Sequence, residues 1–284
     1  MTAMTSSNAE TRYADVSGLR YAYRRFGNRN GGLPVICLQH FTGTLDNWDP
    51  AIVDALAEDR EVILFENAGV GRSSGHVPTT IAQMAQHVMR FVDALSLARI
   101  HILGFSLGGF LAQDIAIARP ALVERLIISG SAPEGGAGAG MDRPELLAIY
   151  TDGDMPPNEK LKRLFFPATT DGQAAAEAFV GRLETRSAER DVPAGAEVAT
   201  AQLQAMIAWA NWNGDVREKL GRIAHPVLVT NGDNDIMIPT ANSFALAEGL
   251  PNATLIVYPN SGHGALFQYA QSYVAHVREF LRGA

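Results

Sequence analysis

Ser106 stands among close-set glycines in the stretch Leu103 to Phe110, LGFSLGGF, directly after a run of apolar residues. Glycine weakens any regular element it sits in, so Gly104, Gly108 and Gly109 require a local reason. Gly104-Phe105-Ser106-Leu107-Gly108 fits the pattern G-x-S-x-G, in which a strand turns sharply into a helix and lifts a serine hydroxyl above the sheet. At either flanking glycine a side chain would collide with the strand or the helix. The same turn aims the Leu107 amide into the space above the serine, at a helix N-terminus that favours negative charge. The chemistry this suggests is nucleophilic attack by Ser106.

A serine hydroxyl is a weak nucleophile without a base. Among the seven histidines, His263 in PNSGHGALF follows the last apolar run, in a loop of small residues. That loop can carry an imidazole over the end of the sheet where such folds deliver functional groups. His101 reads as a strand residue, His87 and His276 as helical, His76 as a turn residue, and His225 as preceding a strand. The base in turn needs a carboxylate that fixes its tautomer and stabilises the imidazolium. VTNGDNDIMIP, after the next-to-last apolar run, offers Asp233 and Asp235. Asp235, deeper in the loop, is preferred; Asp233 then serves the turn, and Glu134 is a distant third.

Hydrolysis at a carbonyl also requires donors for the oxyanion. The Leu107 amide is one, and the loop after PVICLQH places the Phe41 amide best for the other. His40 beside it either touches the substrate or packs. ENAGVGRSSG lacks the full G-x-G-x-x-G spacing and reads as a glycine-rich turn rather than a dinucleotide site.

These residues need a scaffold, and the chain alternates short apolar runs with longer amphipathic stretches, the pattern of a mostly parallel sheet covered by helices. YAYRRFG, PVICLQH, EVILFEN, IHILGFS, RLIISGS, PVLVTNGD and TLIVYPNS are the expected strands. Several are continuously apolar, as strands buried on both faces are. TTIAQMAQHVMRFVDALSL puts Ile81, Met84, Val88, Phe91, Val92 and Leu95 on one helical face, with Thr79 or Thr80 as its cap. SLGGFLAQDIAIARP and SYVAHVREFLRG read as further helices. Residues 133–222 break the rhythm: a Gly/Ala-rich opening leads into helical segments with no convincing strand. They read as a helical lid inserted into a core of residues 13–132 and 223–284. Within the lid Trp209 and Trp212, and beside the proposed catalytic loops Met237 and Leu266, suggest an apolar pocket, with His40 at its edge.

The 284 residues suffice for one large α/β domain with an insert. A hydrophobic share of 47% against 19% charged excludes a disordered chain, and the net charge of −7 argues against nucleic acid or an anionic membrane as partner. Cys37, the single cysteine, lies in an apolar run and reads as core packing. The polar N-terminus shows no signal-peptide pattern, and no apolar run approaches the ~20 residues that span a bilayer. A soluble cytoplasmic protein acting on a small molecule is the expectation. No His/Cys/carboxylate cluster has metal-ligand spacing, so neither a metal nor an organic cofactor is expected.

GFSLGG, GDNDIMIP, SGHG and NAGVGRSS, in that order, resemble the α/β-hydrolase family from about Tyr13 to Leu281. The chain is similar in particular to its capped esterases, cofactor-free haloperoxidases (perhydrolases) and carbon–carbon bond hydrolases. The resemblance implies a serine hydrolase with Ser106 as nucleophile, His263 as base and Asp235 as orienting acid. It differs in two places: Gln39-His40 stands where the family has His-Gly, and Glu66 where it has aspartate. The reading from sequence is hydrolysis of a carboxylic ester or lactone through an acyl-enzyme. Its rivals are carbon–carbon bond cleavage, peracid formation, and a ligand-binding receptor on the same fold.

Overall fold

The computed structural model of the chain describes residues 4–141 and 143–283. In order the elements are β1 Arg12–Val16, β2 Leu19–Gly27, β3 Val35–Leu38, α1 Pro50–Asp59, β4 Glu61–Phe65, α2 Ile81–Ala94, β5 Ile100–Phe105, α3 Leu107–Ala118 and β6 Val123–Ser129. Five helices follow: α4 Pro144–Thr151, α5 Pro157–Phe165, α6 Thr170–Leu183, α7 Ala196–Ala210 and α8 Val216–Gly221. The chain then returns through β7 Val227–Gly232, α9 Ala241–Gly249, β8 Ala253–Tyr258, α10 Ala265–Gln268 and α11 Ala270–Arg282.

The strands form one sheet in the order β1-β2-β4-β3-β5-β6-β7-β8. All neighbours from β4 to β8 pair in parallel, while β2 runs antiparallel to both β1 and β4. Every residue of β3, β4, β5 and β7 is buried, so these strands could be read from their apolar runs. The eighth strand, β1, was not expected. Of RYADV only Ala14 is buried, and a strand paired on one edge with β2 carries no apolar run to betray it.

Helix α2 buries Ile81, Met84, Val88, Phe91 and Val92, and the Thr80 side chain accepts from the Gln83 amide at its start. Leu95 is the C-cap rather than part of the helix. Helix α3 is buried on most of its surface because it lies between the sheet, α2 and the insert. Cys37 is buried and unbridged.

The helical insert α4–α8 leaves the sheet after β6 and returns at β7. It is tied to the core by buried charge. Arg182 on α6 holds the Asp49 carboxylate with two bonds of 2.8 and 2.7 Å. Arg24 of β2 bonds Asp46 at 2.7 Å and Asp191 of the insert at 3.1 Å. Asp46 and Asp191 also exchange backbone bonds, each amide donating to the other's carboxylate at 2.9 and 2.8 Å. Arg186 donates to the carbonyls of Ser6 and Ala9. Arg24 is 1% exposed, and removing one member of such a set leaves an unpaired buried charge costing about 3–5 kcal/mol.

Glu66, just past β4, accepts from the amides of Leu45 at 3.2 Å and Arg72 at 2.8 Å, so its extra methylene serves turn bonding. Burial, then the nearby Asp191, push its carboxyl up to about 8, against those amides and Arg24. A carboxyl raised in the folded state stabilises the fold below its unfolded pKa, and that contribution is lost as pH rises through the folded value. The free energy of unfolding should therefore fall between about pH 5 and 8, with a slope from this group of at most about 1.4 kcal/mol per pH unit. Urea titrations across that range should show a shallower fall for Glu66→Gln than for the wild type. Parallel slopes would mean that Glu66 does not take up its proton in this window.

Candidate active site

At the tip of β5 the chain reverses sharply. Ser106 adopts φ 56, ψ −118, a conformation that costs a residue with a side chain on the order of 1–3 kcal/mol. The glycines explain how the turn closes. A Cβ at Gly104 would lie 2.3 Å from the Gly108 carbonyl oxygen, and one at Gly108 would lie 2.0 Å from that of Leu38. The Ser106 amide donates to Ser129 at 2.9 Å, and its carbonyl accepts from the Ser131 hydroxyl at 2.9 Å and the Gly109 amide at 2.8 Å. The elbow is thus bolted to the end of β6.

Asp235 and His263 arrive on the loops after β7 and β8. The Asp235 Oδ2 accepts from His263 Nδ1 at 2.8 Å, with both side chains fully buried. The other oxygen of Asp235 accepts from the amides of Met237 at 2.8 Å and Ile238 at 2.9 Å. These three bonds fix the carboxylate and place the imidazole proton on Nδ1. His263 Nε2 is buried with no hydrogen-bond partner; it holds the lone pair a general base would use. Gly130, next to Ser129, faces the imidazole so closely that a Cβ there would lie 3.2 Å from Nδ1. The tip of β6 thus borders both the elbow, through Ser129, and the imidazole, through Gly130.

The other carboxylates are engaged elsewhere. Asp233 accepts from Asn260, Ser261 and Asn234, which, against the pull of burial, hold its carboxyl below the usual range. Glu134 pairs with Lys219. Of the other histidines, His87 bonds Tyr21, His225 the Pro120 carbonyl, and His276 Tyr258.

On the opposite side lies the loop after β3. Leu107 is the first residue of α3, where an amide has no partner within its helix. Phe41 is buried, its ring 4.8 Å from that of Tyr150. His40 Nδ1 bonds the Phe41 carbonyl at 2.8 Å, and since that oxygen only accepts, the proton resides on Nδ1. Burial, with His263 nearby, lowers His40 to about 4 despite that bond. His40 is therefore neutral around pH 7 and offers no spare N–H to an oxyanion. Its ring lies edge-on to Phe105 and Phe165, at 5.6 and 5.2 Å.

The same two phenylalanines flank His263, with centroids at 4.9 and 5.4 Å. Phe105 and Phe165, together with Phe267 5.2 Å from Phe105, give the base an apolar wall. Phe165 comes from the insert, and its carbonyl accepts from the Gly264 amide at 2.8 Å. At Gly264 a Cβ would lie 2.9 Å from Phe165 Cβ, so the small residue next to His263 lets the insert seat on this loop. Leu266 is buried on α10 just beyond, and Met237 is buried beside Asp235. Trp209 stacks on Phe110 at 5.1 Å, and Lys219 sits over the rings of both Trp209 and Trp212. Those contacts are with α3 and with α8 at the end of the insert rather than with Ser106, Asp235 or His263. Sequence reasoning passed over Thr42 and Gln202, whose contact links loop and insert, because nothing in a sequence pairs positions so far apart.

Residues 34–269 match the family model described as alpha/beta hydrolase fold. The chain belongs to that family. The strand order, the elbow at Ser106 and the loops carrying Asp235 and His263 are how this member builds it. An alpha/beta hydrolase fold protein from Chitinophaga pinensis superposes with a TM-score of 0.93 at 38% identity, covering 99% of this chain and all (100%) of that one. A protein named putative carbamate hydrolase RutD, from Caulobacter sp. (strain K31), is 31% identical over 250 residues, 83% of this chain and 85% of that protein. Its namesake from Agrobacterium fabrum is 28% identical over 90% of this chain and 95% of its own. No helix among the described residues is long and apolar enough to cross a membrane.

The geometry separates the two loop aspartates by experiment. Asp235→Asn should lower turnover by about 10⁴-fold, because the amide no longer enforces the tautomer, while Asp233→Asn should cost less than about tenfold. Steady-state rates of the two purified variants decide, and the reverse ranking would reassign the acid.

Proposed function

We propose that this alpha/beta hydrolase cleaves a carboxylic ester or lactone of a small, largely apolar substrate through an acyl-enzyme on Ser106. The observation that carries the reading is the His263 imidazole, proton held at Nδ1 by Asp235 and Nε2 bare, its ring 4.9 Å from that of Phe105, the residue before a serine strained into an elbow. His263 Nε2 takes the Ser106 proton as the hydroxyl oxygen attacks the substrate carbonyl. The amides of Phe41 and Leu107 receive the oxyanion, where such donors are each worth about 10²–10³ in rate. Collapse expels the alcohol, which takes the proton from His263. Water then attacks the acyl group, His263 accepting its proton, and Ser106 leaves with that proton restored.

A carbamate presents the same electrophilic carbonyl, and the relatives named as carbamate hydrolases make it a member of the substrate class to test. The apolar surroundings favour uncharged acyl groups. They come from Phe41, Tyr150 and Phe165 as well as Met237 and Leu266. Trp209 and Trp212 would then influence the acyl pocket only through the seating of the insert.

Across p-nitrophenyl esters from acetate upward, kcat/KM should rise until the pocket is full. Each buried methylene contributes roughly 0.8 kcal/mol, or about fourfold. Ser106→Ala should lose several orders of magnitude on every one of them. Tight binding with negligible multiple turnover would mark a receptor. Turnover confined to vinylogous diketones would mark carbon–carbon bond cleavage, and turnover only with peroxide a perhydrolase.

A further inference from the structure

At the end of the sheet away from Ser106, the strand starts carry a buried charge that the fold leaves unpaired. Arg60, immediately before β4, is 5% exposed. Among the described residues its guanidinium has no hydrogen-bond or ion-pair partner, and its Nε is sealed from water. Two other buried arginines are engaged: Arg24 holds Asp46 and Asp191, and Arg186 donates to the carbonyls of Ser6, Ser7 and Ala9. A buried charge without a partner is costly, so Arg60 calls for a reason.

The sheet register shows what Arg60 faces. Val62, Val35, His101 and Arg125 lie side by side across β4, β3, β5 and β6, so their side chains share one face. Arg60 stands two residues before Val62 in extended backbone, φ −155 and ψ 172, and falls on that face too. His101 is 4% exposed, and its Nδ1 is buried without a partner. Burial, then Arg60, Arg125 and Arg99, lower its pKa to about 4. It is thus a neutral ring among cations, with an N–H to give.

Helix α11 closes this face. The Arg125 guanidinium lies over the Phe280 ring at 5.5 Å. Asp59, beside Arg60, is taken by Arg278 at 2.8 Å and Arg282 at 3.7 Å. Arg278 also holds Glu58, and Arg99 holds Glu124. Five arginines therefore meet three carboxylates, in a chain whose net charge is −7. Arg60 and Arg125 are the two that no carboxylate bonds among the described residues. The last carbonyls of α11 amount to about half a negative charge, too little to balance the surplus.

We infer that Arg60, His101 and Arg125 form an anion site at the starts of β4, β5 and β6, and that its ligand is a phosphate dianion, free or as a small phosphomonoester. One guanidinium fork satisfies a carboxylate. Two forks and an imidazole N–H, from three strands, match the three outer oxygens of a phosphate. Along β5, His101 lies about 17 Å from Ser106 at the rise of a strand. The site is therefore separate from the catalytic one and does not depend on the acyl-transfer reading.

The test titrates the full-length chain with sodium phosphate and, separately, with glycerol 3-phosphate. Calorimetry and the His101 Hε1 resonance are read at slightly alkaline pH, with ionic strength held constant by sodium chloride. Either ligand should saturate one site per chain and move that resonance. It should raise the His101 pKa by about one unit or more, because a bound dianion favours the imidazolium. Arg125→Gln, at the edge of the site, should weaken binding at least about tenfold. Arg60→Met should weaken it at least as far, while keeping or raising the melting temperature in phosphate-free buffer, since an unpaired buried charge is gone. An unmoved His101 resonance at millimolar phosphate, or wild-type affinity in Arg125→Gln, would overturn the inference. Phosphate that protects Ser106 from a fluorophosphonate would place the anion at the catalytic serine and overturn it too. So would binding to phosphatidic acid vesicles without binding to either soluble ligand.

Discussion

The backbone of Ser106, held at φ 56, is the constraint on which the rest of the structure depends. A serine in that region reverts to an ordinary turn unless its neighbours over-determine it. Here the neighbours do so from both sides. Strand β5 is buried throughout between β3 and β6, and α3 sits so close that a Cβ at Gly108 would meet the Leu38 carbonyl. Ser129 and Ser131 of the adjacent strand end bond the serine's own amide and carbonyl. The parallel sheet is thus a clamp as much as a platform. Its order also sets the β7 and β8 loops beside the elbow on one flank and the β3 loop on the other.

Around that point polar groups are few and nearly all satisfied. The Asp235 carboxylate spends its oxygens on His263 and two backbone amides, and phenylalanine rings enclose the imidazole. In such a medium hydrogen bonds strengthen, and an unpartnered polar atom becomes costly. The bare Nε2 of His263 is that kind of atom. Ionic ties of the insert run from α6 and the α6–α7 connection, through Arg182, Arg186 and Asp191, and from α8, through Arg217 and Lys219. The insert meets the catalytic loops through the bonds at Gln202 and Phe165 and through the rings of Phe165 and Tyr150.

What was legible in the sequence was what local chemistry enforces. Apolar runs, several of them continuous, marked seven of the eight strands, because burial on both faces leaves little room for alternation. Ser106 was legible because only glycines let a strand and helix meet at that angle. The choice of Asp235 over Asp233 as partner of His263 rested on position in the loop, and the bond between Asp235 and His263 agrees with it. The strand β1 escaped because one buried alanine makes no pattern. Arg24, Asp46 and Asp191 escaped because their contact spans most of the chain. His40, read as either a substrate contact or packing, is turned toward the Phe41 carbonyl and two aromatic rings, a choice set by tertiary neighbours. Gln202 escaped because its bond to the Thr42 amide joins positions 160 residues apart.

The central claim is a covalent acyl group on Ser106, and rapid acid quench followed by peptide mass spectrometry tests it most directly. The enzyme is mixed with excess p-nitrophenyl butyrate, stopped during the first turnovers and digested. The account predicts a butyryl group on the peptide bearing Ser106, formed with a burst of p-nitrophenol and absent from Ser106→Ala. Sustained turnover without an acylated Ser106, or acylation of another residue at the same rate in Ser106→Ala, would contradict it.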